Sequence, residues 1–522
     1  MRKEHRERVL IEVTTRVHAN IVGQGEGAVE RVLSDAIYHE RRRLDAEHGN
    51  GQVAGQRAFW RDIQARMRDG DDPRKLIMRA IQNHAEEIIG RFDPRVYTVA
   101  TRLIPPALGL LLNAATPRKL LGRIPNGAPN LRQNIILQGH ITALQRLHDR
   151  GRIILVPTHL SHLDSVVVGW ALHELGLPPF AYGAGLNLFT NPMLSFFMHN
   201  LGAYKVDRKK RHDLYKDVLK EYCTVSLEQG YDNLFFPGGT RGRSGAVESH
   251  LKMGLLGCGV TAYQNNLRAR RPQPRVFIVP ATLSYHLVLE AETLIDDFLQ
   301  EVGKSRYIIE DDESTEPMKV YQFVRNIITL NSRIYCTFGK PLDPFGNDVD
   351  EEGISRDPHG RPVDISRYVM DQGELQRDEQ RDREYTRFLG ERIVQSFHRE
   401  NVILSTHLLA RALWDLLGAA NPGIDMYRLL GGGGRVLSFP PHEVIDRVAR
   451  LKQQVDALAA QHRIRIDPQL NEVDAAAVVE EALLHFATYH ERKVAVRVGD
   501  RIAPEDLPLL VYYSNRLNGY EL

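Results

Sequence analysis

The stretch Ile153-Ile154-Leu155-Val156-Pro157-Thr158-His159-Leu160-Ser161-His162-Leu163-Asp164 decides how this chain is read. Four consecutive apolar residues of strand-forming type predict a buried strand that ends in a turn at Pro157. Ser161 is placed to cap a following helix, with Asp164 three residues on to accept from first-turn amides. His159 then sits at the carboxyl end of a strand and just ahead of a helix, where α/β sheets carry their sites. Asp164 lies five residues further on, near enough to orient the imidazole and stabilise its protonated form, so the pair suits removal of a proton from an alcohol. On spacing alone, a capping aspartate beside a loop histidine explains the same residues equally well. A two-histidine, one-carboxylate metal site at His159, His162 and Asp164 is the weaker alternative. Histidines three apart across a strand-to-helix break do not share a helix face.

Outward from this stretch, similar short apolar runs recur at Phe180–Tyr182, Ala203–Val206, Leu234–Phe236, Val276–Val279 and Ile334–Phe338, with helical segments between them. That alternation predicts an α/β domain over residues 131–345. Before it, Val29, Val32, Leu33, Ile37 and Leu44, and then Ile77, Ile81, Ile88 and Ile89, give helical stripes, so residues 1–130 are expected to be a helical domain. After Gly339-Lys340-Pro341 the chain turns polar, and residues 346–395 are expected to be a polar connection. Residues 396–522 are expected to be mainly helical, with Val444, Val448, Leu451 and Val455 as the clearest stripe. The fold class expected is therefore α/β, a sheet domain flanked by helical regions at both ends.

At 522 residues the chain is long enough for several domains and for large cores without covalent staples. Its 68 basic residues nearly cancel its 66 acidic ones, so no global field draws it to nucleic acid. Any charged partner must meet a local patch. Cys223, Cys258 and Cys336 are widely spaced and odd in number, which excludes a disulfide scaffold and a cysteine-rich zinc site. The charged opening, from Arg2 to Arg8, predicts no signal peptide. The two most apolar stretches, Leu103–Ala115 and Leu186–Leu201, are interrupted by prolines or polar residues and are too short to span a bilayer, although both suit lying on one.

Two further segments carry chemistry. Leu234-Phe235-Phe236-Pro237-Gly238-Gly239-Thr240-Arg241-Gly242-Arg243-Ser244-Gly245 runs from a strand into a glycine-rich turn with two arginines. Free backbone amides and guanidinium forks make a phosphate cradle, while a plain surface turn with solvated arginines is as good a reading of this segment alone. Ala246 stands where a nucleophile elbow needs its last glycine, and Gly23 to Gly27 follows no strand, so neither a serine hydrolase nor a dinucleotide fingerprint is indicated. The run Arg208-Lys209-Lys210-Arg211, after a short strand, reads either as a solvated charge run or as a positive wall for an anionic substrate or lipid headgroup.

In this order and spacing the signals resemble the glycerolipid acyltransferases, specifically glycerol-3-phosphate acyltransferases of the bacterial and mitochondrial type. His159 and Asp164 match that family's His-x4-Asp block, Gly202 to Arg208 its second block, Phe236 to Arg243 its third, and Val279-Pro280 its fourth. Ala184-Gly185-Leu186-Asn187-Leu188, Arg91-Phe92-Asp93-Pro94 and Tyr512-Tyr513-Ser514-Asn515-Arg516-Leu517 are similar to outer segments of those enzymes. Two departures stand out. Asp207 takes the place of the first of two paired arginines, a form seen in lysophosphatidate acyltransferases, and Gly238 stands where the third block usually carries a glutamate. That glutamate's role is either absent or supplied elsewhere.

The resemblance implies transfer of a fatty acyl group from an acyl thioester, acyl-CoA or acyl-carrier protein, to the hydroxyl of glycerol 3-phosphate, with lysophosphatidate or dihydroxyacetone phosphate as other acceptors and a silent lipid-binding relative as the non-enzymatic alternative. It implies His159 as base with Asp164 behind it, and Arg208, Gly239, Thr240, Arg241, Arg243 and Pro280 as substrate-binding residues. No metal or redox cofactor is implied. Peripheral attachment to a membrane surface is expected, through apolar residues near Leu186–Phe197 and the neighbouring basic run, on the cytoplasmic side or in the cytoplasm itself.

Overall fold

Strands form where apolar runs are short and bounded by turns, and seven of them make the sheet at the centre of this protein. In the computed structural model the described residues are 3–47, 51–99, 131–186, 200–302, 332–432, 434–487 and 490–522. The apolar stretches at Leu103–Ala115 and over most of Leu186–Leu201 lie outside them. No helix among the described residues is long and apolar enough to cross a membrane.

The strands are β1 (Ile135–Gly139), β2 (Arg152–Pro157), β3 (Ala181–Gly185), β4 (Ala203–Val206), β5 (Asn233–Leu234), β6 (Val276–Tyr285) and β7 (Ile334–Phe338). Their order is β1-β7-β6-β2-β5-β3-β4. All neighbours run parallel except β6 and β7, which pair antiparallel from Ala281–Phe338 to Tyr285–Ile334. Ile153 to Val156 are fully buried at the sheet centre, as parallel strands covered on both faces require. The α/β expectation is met. The strand β1 has no counterpart among the expected runs; Ile135, Ile136 and Leu137 are only half-buried at the sheet edge.

The helices Lys3–Val22, Ala28–Ala46, Gly51–Arg68 and Pro73–Ile88 lie ahead of the sheet in the chain. Asp72 caps the last by accepting from the Arg74 amide, with Pro73 in the first turn. Val9, Val13, Val17, Leu33, Ile37, Trp60, Ile77 and Ile81 pack together and onto Tyr215, Val218 and Tyr222 of the helix Asp213–Glu228, which covers one face of the sheet. On the other side, Leu155, Val279 and Ala281 of the sheet share one core with Leu408, Leu413, Val448, Leu451, Val479 and Leu510 from the carboxyl-terminal helices. Both helical regions thus grow out of the sheet's own hydrophobic layers.

Residues 346–395 differ from the expected polar connection. They contain the paired strands Asp348–Val349 and Ser355–Arg356, a second hairpin at Met370–Leu375, and most of the helix Glu379–Arg399, which runs across the expected boundary. Asp378 caps that helix. Its Leu389, Ile393 and Phe397 are buried with Phe345, Ile365 and Val369 against Ile154 and Ile278 of the sheet. Charge on the exposed face of this segment masks an apolar face that appears only every three or four residues.

Candidate active site

The loop after β2 turns Asp164 inward. The helix Asp164–Glu174 begins at that residue, without a side-chain cap from Leu163. Ser161 does not cap the helix as the sequence reading expected; its hydroxyl accepts from the Leu163 amide at 3.1 Å. Asp164 instead reaches back. Its Oδ2 accepts from the backbone amides of Leu160 (2.6 Å) and Ser161 (2.9 Å) and lies 2.9 Å from Nδ1 of His159. Its Oδ1 accepts from the Tyr285 hydroxyl at 2.5 Å. Four donors thus surround a fully buried carboxylate.

His159 is itself 6% exposed. Phe236 stacks on its ring at 4.0 Å and 16°. Burial pushes the imidazole down to about 4 against the pull of Asp164, with His162 and Arg241 adding repulsion. At neutral pH the ring is therefore uncharged. With Nδ1–H given to Asp164, Nε2 is left as a proton acceptor, the state a general base requires.

The third-block loop, after β5, closes over this pair. The Gly242 amide donates to the His159 carbonyl at 2.7 Å. Gly239 adopts a left-handed conformation (φ +79°), which favours glycine, and Thr240 next to it is exposed. Arg241 and Arg243 are half-buried, and Arg208, after β4, lies over the end of β3, with Nη2 3.8 Å from where a Cβ on Gly185 would stand. Desolvation and the charges of Arg241 and Arg243 push Arg208 below its usual value. Three guanidinium groups thus gather positive charge beside a neutral histidine. Glu290, fully buried after β6, stands 3.6 Å from Arg241 Nη1 and also accepts from the His162 amide at 3.1 Å.

Pro280 is placed differently. It is buried within β6, paired with Val156, and its carbonyl accepts from the Gly339 amide. The basic run also divides. Arg208, Lys209 and Arg211 are exposed, but Lys210 is buried, 2.5 Å from Glu87 and 3.8 Å from Glu40 of the amino-terminal helices. Glu40 in turn pairs with Arg43 and His212. The run that reads either as solvated charge or as a positive wall is thus three exposed cations and one structural one. Asp207 is buried and its carboxylate accepts from the Lys209 amide, which keeps it out of the guanidinium group. Among the described residues no three His, Cys, Asp or Glu side chains converge as metal ligands.

Residues absent from the sequence reading also build the site. Tyr285, Glu248 and Glu290 reach it from beyond the recognised blocks. From the far end of the chain, Asn515 donates to the Ser244 carbonyl at 2.9 Å. Gly245, left-handed at φ +77°, leaves room for the Tyr512 carbonyl directly against it.

Comparison with known proteins agrees with this geometry. Residues 139–284 match the family model described as Acyltransferase. The chain is 30% identical over 276 residues to a glycerol-3-phosphate acyltransferase of Aeromonas hydrophila, a match that takes in 53% of this chain and 30% of that protein. It is 28% identical to the enzyme of the same name from Haemophilus ducreyi (54% of this chain, 30% of that one) and 27% identical to that of Pseudomonas aeruginosa (40% and 23%). The matched segment therefore spans less than a third of the length of these curated relatives. Residues 139–284 thus match an acyltransferase model, and the curated relatives that the chain resembles are named glycerol-3-phosphate acyltransferases.

Proposed function

We propose that this protein transfers a fatty acyl group from an acyl thioester to a hydroxyl of glycerol 3-phosphate, forming lysophosphatidate. One observation carries the reading: a neutral, carboxylate-held His159 is bonded through its carbonyl to the loop that carries Arg241 and Arg243, whose charges also bear on Arg208. The guanidinium groups bind the acceptor's phosphate, and this sets its hydroxyl against Nε2 of His159. As the hydroxyl oxygen attacks the thioester carbonyl, its proton passes to Nε2, and Asp164 stabilises the imidazolium. The C–S bond then breaks and the leaving thiolate takes the proton back. One C–O bond forms, one C–S bond is lost, and His159 returns to its starting state.

Acyl-CoA and acyl-carrier protein both fit as donor. The three exposed cations at Arg208, Lys209 and Arg211 support contact with an anionic membrane surface, and the apolar stretch Leu186–Phe197 is proposed to join them. An acceptor panel with a labelled acyl thioester tests the main reading. Product from glycerol 3-phosphate is expected; product from lysophosphatidate or dihydroxyacetone phosphate alone overturns it.

A further inference from the structure

The backbone of His159 is gripped at both ends by the third-block loop and the segment that follows it. Its carbonyl accepts from the Gly242 amide, and its own amide donates to Oε1 of Glu248 at 2.5 Å. Glu248 comes from a stretch that folds back along the loop, with the Lys252 amide bonded to the Pro237 carbonyl at 2.7 Å. Its Oε2 is sealed from solvent. The position it occupies is informative. A Cβ built on Gly238 would stand 2.5 Å from Oε2 of Glu248 and 2.8 Å from its Cδ. The absence of a side chain at 238 is what admits the carboxyl of 248.

We infer that Glu248 is a positioning residue for His159, its carboxyl filling the space that a side chain at position 238 would take and holding the histidine's amide from there. This rests on His159 being the proton acceptor of the proposed reaction. Burial, with Asp164 adding repulsion, pushes this carboxyl up to about 8, while the amides of His159 and Gly238 pull the other way. A neutral carboxyl still accepts through its carbonyl oxygen, so an amide of the same shape does the same work. Position 238 is also where the chain departs from the third block it otherwise resembles. The carboxyl missing there arrives from ten residues downstream.

Four variants test this in the full-length protein, each checked for folding by circular dichroism. Glu248→Ala is expected to lower kcat roughly 10²-fold with little change in KM for glycerol 3-phosphate, the pattern of a misplaced base. Glu248→Gln is expected to recover most of that loss. Gly238→Ala alone is expected to lower kcat, because its methyl meets the Glu248 carboxyl. Gly238→Glu with Glu248→Gly is expected to turn over faster than Glu248→Ala, since it returns a carboxyl to the same space; strong coupling between adjacent sites is the signature. A folded Glu248→Ala that matches the native enzyme, a folded Glu248→Gln as impaired as Glu248→Ala, or a double variant with no recovery overturns the inference. If Glu248→Ala does not fold, the other three variants decide. The rate at which diethyl pyrocarbonate modifies His159 is followed in parallel, with His159→Ala as the blank. It is expected to change severalfold in Glu248→Ala and to return in Glu248→Gln. Should the native protein fail to acylate glycerol 3-phosphate, the acceptor reading falls, and the modification rates alone uphold or overturn the role of Glu248.

Discussion

The Tyr285 hydroxyl donates to Oδ1 of Asp164 at 2.5 Å, so the carboxylate that holds His159 is itself held from the strand beside it. Tyr285 is the last residue of β6, and 121 positions separate the pair along the chain. Removing the hydroxyl leaves one buried carboxylate oxygen without its donor, a loss of about 1.5–3 kcal/mol for a hydrogen bond to a charged group. Tyr285→Phe is predicted to lower kcat by roughly tenfold and the thermal midpoint measurably, with KM for the acceptor unchanged. Steady-state kinetics and a melting curve check both.

The two neighbouring histidines are predicted to separate in their effects. His159→Ala should lower turnover by roughly 10²–10⁴-fold, the range for a general base. His162→Ala should be much milder, because it keeps the backbone amide that donates to Glu290. Equal losses restored by added zinc would point to metal chemistry instead.

The acceptor's phosphate is predicted to be read by Arg241 and Arg243. Each charge-assisted contact contributes about 1.5–3 kcal/mol, so alanine at either position should raise the acceptor KM by roughly 10- to 100-fold. Lys210→Ala should instead lower stability, since Lys210 is buried against Glu87 and Glu40. Unchanged acceptor kinetics in both arginine variants would move the phosphate site elsewhere.

His159 is predicted to titrate near 4 in the folded protein, against about 6.5 when unfolded, and Asp164→Asn should lower it further by removing the charge that holds it up. Between these values the unfolded chain binds the proton and the folded one does not, so this group's contribution is complete above 6.5 and is lost as pH falls toward 4. Relative to His159→Gln, the native protein should lose about 3 kcal/mol across that window. Imidazole NMR titration and paired denaturation curves at several pH values measure the two effects.

Much of this was legible in the order of residues. Ile153–Val156 and Ile334–Phe338 read as strands because an apolar run of four or five residues between turns has few other solutions. The spacing of His159 and Asp164 brought them together in expectation and in fact. What spacing could not supply was direction. Asp164 looks like a helix-capping residue, yet its carboxylate turns back to the loop, because three donors from residues 159–161 and a fourth from Tyr285 outweigh the helix's first amides. The burial of Lys210 was illegible for a related reason. A run of four cations carries no mark of which member meets Glu40 and Glu87, carboxylates more than a hundred residues away on other helices. Glu248 was hidden by its ordinary surroundings in the sequence; only the empty space at Gly238 shows what it does.

The contact from Asn515 to Ser244 spans 271 residues, and it has a consequence for timing. On a growing chain the base and the arginine loop emerge long before the segment that backs them. Closing so long a loop adds little equilibrium cost, since the entropy grows only with the logarithm of length, but it delays the contact. A nascent chain that has completed its sheet and not yet placed residues 507–522 is expected to hold the His159–Asp164 pair beside an unsupported cradle. On the proposed reading, recognition of a phosphorylated acceptor is then expected only once residues 507–522 are placed.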